Sequence, residues 1–365
     1  MQPKPNIVHL PVYQPGKPIE EVKRELGLTE VIKLASNENP FGCSPAAVEA
    51  IQNELGQISI YPDGAAVELT EALAKHLGVG TDQLIFGAGS DEVILMIARA
   101  FLLPGEETIA ADQTFPQYKH NVEIENGVYV EVPLKDGTHD LKGMLEKVNP
   151  KTKIVWICNP NNPTGTIVTH DEVEWFLSNV PPSVMVVLDE AYCEYVDDPS
   201  FPDGIALLKK YPNLVLLRTF SKIYGLASLR IGYGIGRPEV IRSINQVREP
   251  FNTSRFGQAA ALAALRDQAF IDRCRKANRE GLAYLRAEFD RLGLSAFPAY
   301  GNFIMVDVQR PAQDVFEALL RKGIIVRAGH RKYPTHIRVT VGSAEQNAKF
   351  IGALESVLQE IAVRV

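Results

Sequence analysis

Two charged residues follow apolar runs in positions where they could do chemistry. Lys222 ends the stretch 216–222, and Asp189 comes directly after the apolar run 184–188. A lysine at the mouth of an α/β sheet, partly desolvated and near arginine, has a lowered pKa and becomes a usable amine nucleophile. Most lysines are solvated surface charges, so position alone leaves that role open for Lys222. A carboxylate after a buried strand is costly to desolvate unless it meets a cation, although a helix N-cap would also suit Asp189.

Two loops could hold an anion or orient a ligand oxygen. The stretch 87–90, Gly-Ala-Gly-Ser, joins a predicted strand to a helix, and free N–H groups at a helix N-terminus bind anions. A plain turn is the alternative there, since Asp91 and Glu92 would repel a phosphate unless they point away. In 159–165 two prolines restrict the backbone and so direct asparagine side chains, while an ordinary Asn/Pro/Gly turn is the alternative. Tyr192 would lie near the Asp189 carboxylate if a helical turn begins after the strand. Otherwise Tyr192 would be a packing residue.

These groups together match what pyridoxal phosphate requires. The cofactor needs a Schiff-base lysine, an acidic partner for its pyridine nitrogen and a phosphate cup, to which Arg230 adds positive charge. A metal site is not expected, because the seven histidines form no i,i+4 pair and do not cluster with cysteines. The four cysteines lie far apart without a CxxC pair, which favours reduced thiols.

Alternating strands and helices would position these residues. Helices are predicted at 91–103 and 169–177, between short apolar runs at 84–86, 108–111, 128–132, 154–158, 184–188, 214–217 and 231–235. This alternation predicts an α/β fold with a large domain built on a mostly parallel, seven-stranded sheet. Ligands bind beyond the carboxyl ends of the strands in such sheets, which is where the motifs lie.

The pattern changes after residue 250 and predicts a smaller α+β domain. Long helices are expected at 259–265 and 267–292, followed by strands at 303–308, 324–326 and 337–341 and helices at 312–322 and from 344. The first forty residues contain six prolines and are typical of an arm lying on other structure. We therefore divide the chain into an N-terminal arm (1–40), a large cofactor-binding domain (41–250) and a small C-terminal domain (251–365).

Composition restricts the class of protein. The chain has 365 residues, of which 45% are hydrophobic and 22% charged, as in ordinary globular proteins. Its net charge of −6 gives no general attraction to nucleic acid or anionic membranes. No apolar run approaches the ~20 residues that span a bilayer, and no secretory signal is visible, so we expect a soluble, cytoplasmic protein.

Several stretches resemble the fold-type I pyridoxal-phosphate aminotransferases and, among these, most resemble the histidinol-phosphate aminotransferases. The resemblance runs nearly end to end. It is carried by YQPGKP at 13–18, LASNENPFG at 34–42, YPDG at 61–64, GSDE at 89–92, NPTG at 162–165, DEAY at 189–192, TFSK at 219–222 with RIG at 230–232, and IRVTVG at 337–342.

The resemblance implies a role for each matching residue. Lys222 would hold the cofactor covalently, Asp189 would pair with the pyridine nitrogen, and Tyr192 would complete the catalytic group. The other implied cofactor contacts are Asn162 with Tyr192 at the ring's 3′ oxygen, Phe115 stacked on the ring, and Gly89, Ser90, Ser221 and Arg230 at the phosphate. The family often has tyrosine at the position of Phe115. Tyr61 would reach the cofactor phosphate from a partner subunit, so the resemblance also implies a homodimer.

Substrate binding is expected in the C-terminal domain. In 337–341 the two-residue period places Arg338 and Thr340 on the opposite face from the apolar residues. A guanidinium there could bind a carboxylate or phosphate with two hydrogen bonds, whereas the pattern alone favours an exposed strand arginine. The resemblance favours substrate binding by Arg338 and Asn162, with Arg327 as a second phosphate ligand and Tyr13 closing over the substrate.

The implied reaction is amino transfer between L-histidinol phosphate and 2-oxoglutarate, giving imidazole acetol phosphate and glutamate, in histidine biosynthesis. An aromatic amino-acid aminotransferase is the main alternative, and both activities could coexist. A pyridoxal-phosphate decarboxylase of a phosphorylated amino acid shares the same framework. A non-enzymatic regulator is disfavoured, because the chain has no spare ~60 residues for a DNA-binding module and the wrong net charge.

Overall fold

The computed structural model describes residues 1–12 and 16–362. The strands are β1 (Ile32–Lys33), β2 (Leu84–Gly87), β3 (Glu107–Ala111), β4 (Val128–Val132), β5 (Thr152–Cys158), β6 (Met185–Asp189), β7 (Leu214–Thr219), β8 (Gly232–Ile235), β9 (Phe303–Asp307), β10 (Ile324–Ile325) and β11 (His336–Thr340). The helices are α1 (Ile19–Leu26), α2 (Pro45–Glu54), α3 (Val67–Leu77), α4 (Ser90–Phe101), α5 (Gln117–Ile124), α6 (Leu141–Lys147), α7 (His170–Asn179), α8 (Gly204–Lys210), α9 (Pro238–Asn245), α10 (Arg255–Arg266), α11 (Gln268–Arg291), α12 (Ala312–Arg321) and α13 (Ala344–Ala362).

A seven-stranded sheet forms the centre of the large unit, in the order β2-β8-β7-β6-β5-β3-β4. Each of the seven apolar runs expected from the sequence forms one of its strands. All neighbouring pairs are parallel except the two that involve β8, which runs antiparallel to β2 and β7. The predicted fold class, a mostly parallel α/β sheet with a smaller α+β part, is therefore confirmed.

Burial on both faces explains why these strands read as continuous apolar runs. In β5, Val155 and Ile157 pack into the core on one face of the sheet, whereas Ile154 and Trp156 pack into the core on the other. Strands covered by helices on both faces lose the alternation of apolar and polar residues that half-exposed strands show. The sheet is thus a rigid platform whose polar groups lie at its ends.

Parallel pairing brings the ends of four strands to one edge. Cys158 at the end of β5 pairs with Asp189 at the end of β6, which in turn pairs with Leu217 of β7. Because β3, β5, β6 and β7 run in the same direction, the loops that follow them all open on this edge. Those loops contain most of the residues for which chemistry is expected.

The smaller unit contains two two-stranded sheets. Strand β11 pairs antiparallel with β9, and β1 from the N-terminal region pairs parallel with β10. Backbone hydrogen bonds between Arg327 and Arg338 join the end of β10 to β11. Helix α10 packs against α2 and α3, and its buried residues belong to the core of the large unit. The domain boundaries at 40 and 250 stay predictions, and this packing favours a boundary after α10.

No helix within residues 1–12 and 16–362 is both long and apolar enough to cross a membrane.

Candidate active site

A cavity of about 1030 Å³ opens at the carboxyl ends of the large sheet and is closed on one side by the smaller unit. It brings together eleven of the residues expected to act, namely Gly89, Ser90, Phe115, Asn162, Asp189, Tyr192, Ser221, Lys222, Arg230, Arg327 and Arg338. Tyr61 does not line the cavity of its own chain. Tyr13 lies outside the described residues.

Lys222 presents a half-buried amine to this cavity. Its Nζ donates a hydrogen bond of 3.3 Å to the carbonyl oxygen of Ser36 and lies 5.5 Å from the centre of the Tyr192 ring. Burial and, secondarily, the positive charge of Arg338 lower the pKa of Lys222 to about 8. At pH 7 roughly a tenth of such an amine is neutral, several hundred times more than for an ordinary lysine. The side chain is therefore suited to nucleophilic and basic chemistry.

Asp189 lies opposite, at the end of β6, with only 3% of its surface exposed. Its Oδ2 accepts a 2.6 Å hydrogen bond from the Tyr118 hydroxyl, and its Oδ1 accepts one of 3.2 Å from the backbone N–H of Ala191. Burial raises the pKa of Asp189 to about 6, although the Tyr118 hydrogen bond opposes the rise. Both oxygens are thus held by neutral donors, and a cationic ligand would compensate the buried charge.

The two neighbouring asparagines of the 159–165 loop differ in what they contact. Asn161 is fully buried, where its Oδ1 accepts from Thr114 and its Nδ2 donates to the hydroxyl of Thr164. Asn162 lines the cavity instead, with its Nδ2 3.4 Å from the Tyr192 hydroxyl and its Oδ1 accepting a 2.6 Å hydrogen bond from Arg338. Asn161 therefore stabilises the loop, and Asn162 is the one available to a ligand.

Asn37 also binds Tyr192, and the sequence argument gave it no role. Its Nδ2 donates a 2.9 Å hydrogen bond to the Tyr192 hydroxyl. Asn37 has a φ of 56° and is held by Thr340, whose hydroxyl accepts from its backbone N–H and donates to its side-chain oxygen. Asn37 lies inside the LASNENPFG stretch, so the family resemblance was the available signal for it.

The residues expected to bind an anion come together where β2 meets α4. Gly89 has a φ of 81°, and a methyl group there would overlap with the guanidinium of Arg230. A methyl group at Gly232 would in turn overlap with the backbone N–H of Ser90. Gly89 thus lets Arg230, and Gly232 lets β8, approach the N-terminus of α4, which has no side-chain cap. Nη1 of Arg230 also lies 3.4 Å from the Ser221 hydroxyl.

The two acidic residues that could oppose an anion here are arranged differently. Glu92 folds back and accepts hydrogen bonds from the backbone N–H of Ala88 and from Asn252. Asp91 stays at the cavity and pairs with Arg230 at 3.5 Å. Burial raises the pKa of Asp91, which weakens its negative charge at acidic pH. Glu92 thus binds the 87–90 loop without lining the cavity, and Arg230 offsets Asp91.

Phe115 lines the cavity and belongs to a row of three packed aromatic rings. Phe115 lies edge-on to Tyr118, with ring centres 5.6 Å apart, and Tyr118 stacks on Trp156 at 5.1 Å. The stacking fixes the hydroxyl that reaches Asp189. Tyr118 is a residue that the sequence argument missed, and in the sequence nothing separates it from other buried tyrosines.

The smaller unit contributes two arginines. Arg338 is only 8% exposed, donates to Asn162 and to the carbonyl oxygen of Ala35, and lies 5.4 Å from the ring centre of Phe303. Arg327 lines the same cavity. Ile337 and Val339 are buried in the core on the other face, as the two-residue period of β11 predicts.

Tyr61 is 74% exposed and stacks on Phe251, with ring centres 4.6 Å apart. Four apolar residues close to Tyr61 in the sequence are also exposed, namely Leu55, Ile58, Ile60 and Val67. We call these five side chains the 55–67 patch.

Among residues 1–12 and 16–362, no group of three or more His, Cys, Asp or Glu side chains is placed to hold a metal ion.

The chain belongs to the family of class I and II aminotransferases, whose model matches residues 29–354. It is 56% identical to a histidinol-phosphate aminotransferase of Brevibacillus brevis, over 98% of this chain and 99% of that protein. It is 52% identical to a histidinol-phosphate aminotransferase of Bacillus subtilis strain 168, over 98% of this chain and 100% of that protein. Among solved structures, the histidinol-phosphate aminotransferase of Sinorhizobium meliloti in complex with pyridoxal-5'-phosphate matches with a TM-score of 0.91 at 30% identity, over 98% of this chain and 97% of that one. The resemblance expected from the sequence is confirmed.

Proposed function

We propose that this protein uses pyridoxal phosphate to transfer an amino group between L-histidinol phosphate and 2-oxoglutarate. The observation that carries the proposal is one cavity in which the Lys222 amine, the buried Asp189 carboxylate and two arginines converge. Its likeness over nearly the whole chain to histidinol-phosphate aminotransferases supports the choice of substrate.

The residues present fit pyridoxal phosphate. Asp189 has a buried carboxylate held only by neutral donors, which suits a pyridinium nitrogen. The absence of a side chain at Gly89 lets Arg230 lie against the N-terminus of α4, where the guanidinium and the free backbone N–H groups could both bind a phosphate. In this arrangement Lys222 would hold the cofactor covalently, Phe115 would contact its ring, Asn162 and Tyr192 would bind its ring oxygen, and Gly89, Ser90, Ser221 and Arg230 would bind its phosphate. When bound, the cofactor supplies an electron-accepting ring.

Side chains of the protein then transfer protons and orient the bound molecules. Lys222, with a pKa near 8, removes the proton from the substrate's Cα as a general base, a role typically worth about 10²–10⁴-fold in rate. Asp189 is ionised above pH about 6 and so would keep a proton on the pyridine nitrogen of a cofactor bound against it. Asn162 and Tyr192 are already linked by a hydrogen bond, which fixes the direction in which both point.

The two arginines explain how one cavity serves two anionic substrates. A guanidinium binds carboxylate or phosphate oxygens with two parallel hydrogen bonds. Arg338 would bind the carboxylate of glutamate in one half of the reaction and, with Arg327, the phosphate of histidinol phosphate in the other. Because Arg338 donates a hydrogen bond to Asn162, an anion bound by Arg338 would lie near the residues that would contact the cofactor.

We further propose a homodimer. The 55–67 patch gathers exposed apolar side chains, which on a folded protein mark interaction surfaces. Covering the patch with a second copy of the chain would bury Tyr61 and bring it to the partner's cofactor phosphate, the role that the family resemblance implies. Sedimentation at micromolar concentration tests this, with a monomeric species as the contradicting result.

A second activity toward aromatic amino acids is favoured by the lining beside Arg327. Phe316, Ile325 and Val326 line that part of the cavity and could pack against an aromatic ring. Tyrosine and phenylalanine carry the carboxylate that Arg338 would bind. This activity would be a second one of the same site.

A steady-state substrate panel with 2-oxoglutarate as acceptor tests the proposal. We expect kcat/KM for histidinol phosphate to exceed that for phenylalanine, and a tenfold preference for phenylalanine would reverse the assignment. Release of CO₂ without glutamate formation would indicate a decarboxylase instead.

Borohydride reduction followed by peptide mass analysis should place the cofactor on Lys222. The adduct should be absent in Lys222→Ala and present in the control Lys209→Ala, which removes an exposed lysine.

A further inference from the structure

The carboxylate of Glu92 holds the loop that precedes α4. The helix begins at Ser90 with Gly89 as its N-cap, so Glu92 is its third residue. The Oε2 atom of Glu92 accepts a 2.6 Å hydrogen bond from the backbone N–H of Ala88. Gly89 and Ser90 line the cavity, whereas Glu92 and Ala88 do not. Glu92 therefore acts on the expected phosphate site through the backbone of the loop.

Asn252, in the segment between α9 and α10, fixes this carboxylate. Its Nδ2 donates a 2.7 Å hydrogen bond to the same Oε2 of Glu92 and one of 3.0 Å to the carbonyl oxygen of Phe86 in β2. Its Oδ1 accepts a 3.0 Å hydrogen bond from Arg248, which also donates to the carbonyl oxygen of Gly64. The donors and the acceptor of the amide are thus all engaged. Asn252 and Glu92 together connect β2 to α4 on either side of the 87–90 loop.

The charge of Glu92 and its hydrogen bonds have opposite effects on a phosphate at this loop. A carboxylate in the first turn of a helix favours the helix dipole, but by charge alone it weakens binding of an anion at the same N-terminus. Hydrogen bonds that order the loop before a ligand arrives remove an entropy cost that binding would otherwise carry. A variant that removes the charge and keeps the hydrogen bonds can therefore separate the two effects.

We propose that Glu92 and Asn252 are positioning residues for the cofactor phosphate, which hold the 87–90 loop in its binding conformation before the cofactor arrives. The inference rests on the proposed contacts of Gly89 and Ser90 with that phosphate. Because a single oxygen of Glu92 accepts both hydrogen bonds, a glutamine can accept both through its carbonyl oxygen without the charge. An alanine at this position removes the charge and both hydrogen bonds.

Binding of pyridoxal phosphate and of pyridoxal to the full-length, cofactor-free protein tests the inference. Pyridoxal has the same ring and aldehyde but no phosphate, so the ratio of the two affinities reports on the phosphate site alone. In Glu92→Ala we expect the affinity for pyridoxal phosphate to fall about tenfold and that for pyridoxal to change less than about twofold. Asn252→Ala should show the same selective loss. Glu92→Gln should bind pyridoxal phosphate at least as tightly as the wild type.

Glu172→Ala is the matched control. Glu172 is the third residue of α7, and its Oε2 accepts a 2.7 Å hydrogen bond from the backbone N–H of Thr169, but this helix does not line the cavity. Its replacement should lower the stability of the protein without changing the ratio of the two affinities. The comparison separates a role in phosphate binding from ordinary capping of a helix.

Hydrogen exchange of the cofactor-free wild type gives a second readout that needs no variant. The amide hydrogen of Ala88 should exchange at least about tenfold more slowly than an unprotected amide, because the loop is held before the phosphate binds.

Four results would overturn the inference. They are an unprotected Ala88 amide, wild-type affinity for pyridoxal phosphate in Glu92→Ala, equal losses for the two ligands in that variant, and a loss in Glu92→Gln as large as in Glu92→Ala. If the wild type prefers pyridoxal phosphate over pyridoxal under any of these results, only the role of Glu92 and Asn252 is wrong. If it shows no such preference, the proposed phosphate contacts fail as well.

Discussion

Replacing Asp189 with asparagine is expected to stabilise the cofactor-free protein at neutral and alkaline pH. Burial raises the pKa of Asp189 from 3.8 to about 6. Above pH 6 the carboxylate is ionised in both the folded and unfolded states, and the difference of about two pKa units costs the folded state about 3 kcal/mol. Below pH 3.8 both states are protonated and the cost disappears. Wild-type stability should therefore fall, relative to the variant, as pH rises from 4 to 6.

The net gain is smaller than this cost, because the amide keeps one hydrogen bond and loses another. Its oxygen can still accept from Tyr118, but its NH₂ then faces the backbone N–H of Ala191, a loss of about 0.5–1.5 kcal/mol. We expect Asp189→Asn to be more stable by about 1.5–2.5 kcal/mol at pH 8 and no more stable than wild type at pH 3.5.

Urea unfolding of the cofactor-free protein at fixed chain concentration measures this difference. Asp198→Asn is the control: a hydrogen bond from Ser200 lowers the pKa of Asp198, so neutralising it should bring no gain. A variant no more stable than wild type at pH 8, or one with the same gain at every pH, would refute the reasoning. Loss of transaminase activity in Asp189→Asn should accompany the gain in stability.

Three further predictions concern neighbouring groups. Tyr118→Phe should raise the pKa of Asp189 by about one unit, because the hydroxyl stabilises the carboxylate; an unchanged midpoint in an infrared titration of the carboxyl group would contradict this. Gly89→Ala should weaken cofactor binding at least tenfold, because its methyl group would meet Arg230, whereas the control Gly105→Ala has the same φ of 81° and open space around it. Lys222 of the cofactor-free protein should react half-maximally with an amine reagent near pH 8, because its pKa is about 8, and a midpoint near 10.5 would show an ordinary lysine.

The strands and the ends of the strands were predictable from the sequence for one physical reason. The inner strands β5, β6 and β7 are buried on both faces and are therefore apolar along most of their length, so their runs stand out in the sequence. A polar residue after such a run marks the end of the strand, although Asp189 itself is still buried. Asp189 and Lys222 each follow such a run, and parallel pairing of β6 with β7 brings the two ends together. Local pattern and global topology agree here.

The contacts that complete the site could not be predicted in the same way. Thr340 holds Asn37 across 303 residues of sequence, and Tyr118 reaches Asp189 across 71. Such pairs depend on how elements that are distant in the sequence pack against one another, which no local pattern encodes. Asn161 and Asn162 are chemically identical neighbours, and only the burial of Asn161 separates a structural amide from an available one.

Hydrogen bonds run from Arg338 through Asn162 to Tyr192. They therefore connect the residue that would bind the substrate's anion with the residues that would contact the coenzyme's ring. An inert dicarboxylate that occupies Arg338 would draw on the same amide that orients the tyrosine. The visible absorption of the coenzyme would then change when an unreactive anion binds at Arg338, before any covalent bond forms or breaks. Simple spectrophotometric titration could therefore rank ligands that never turn over.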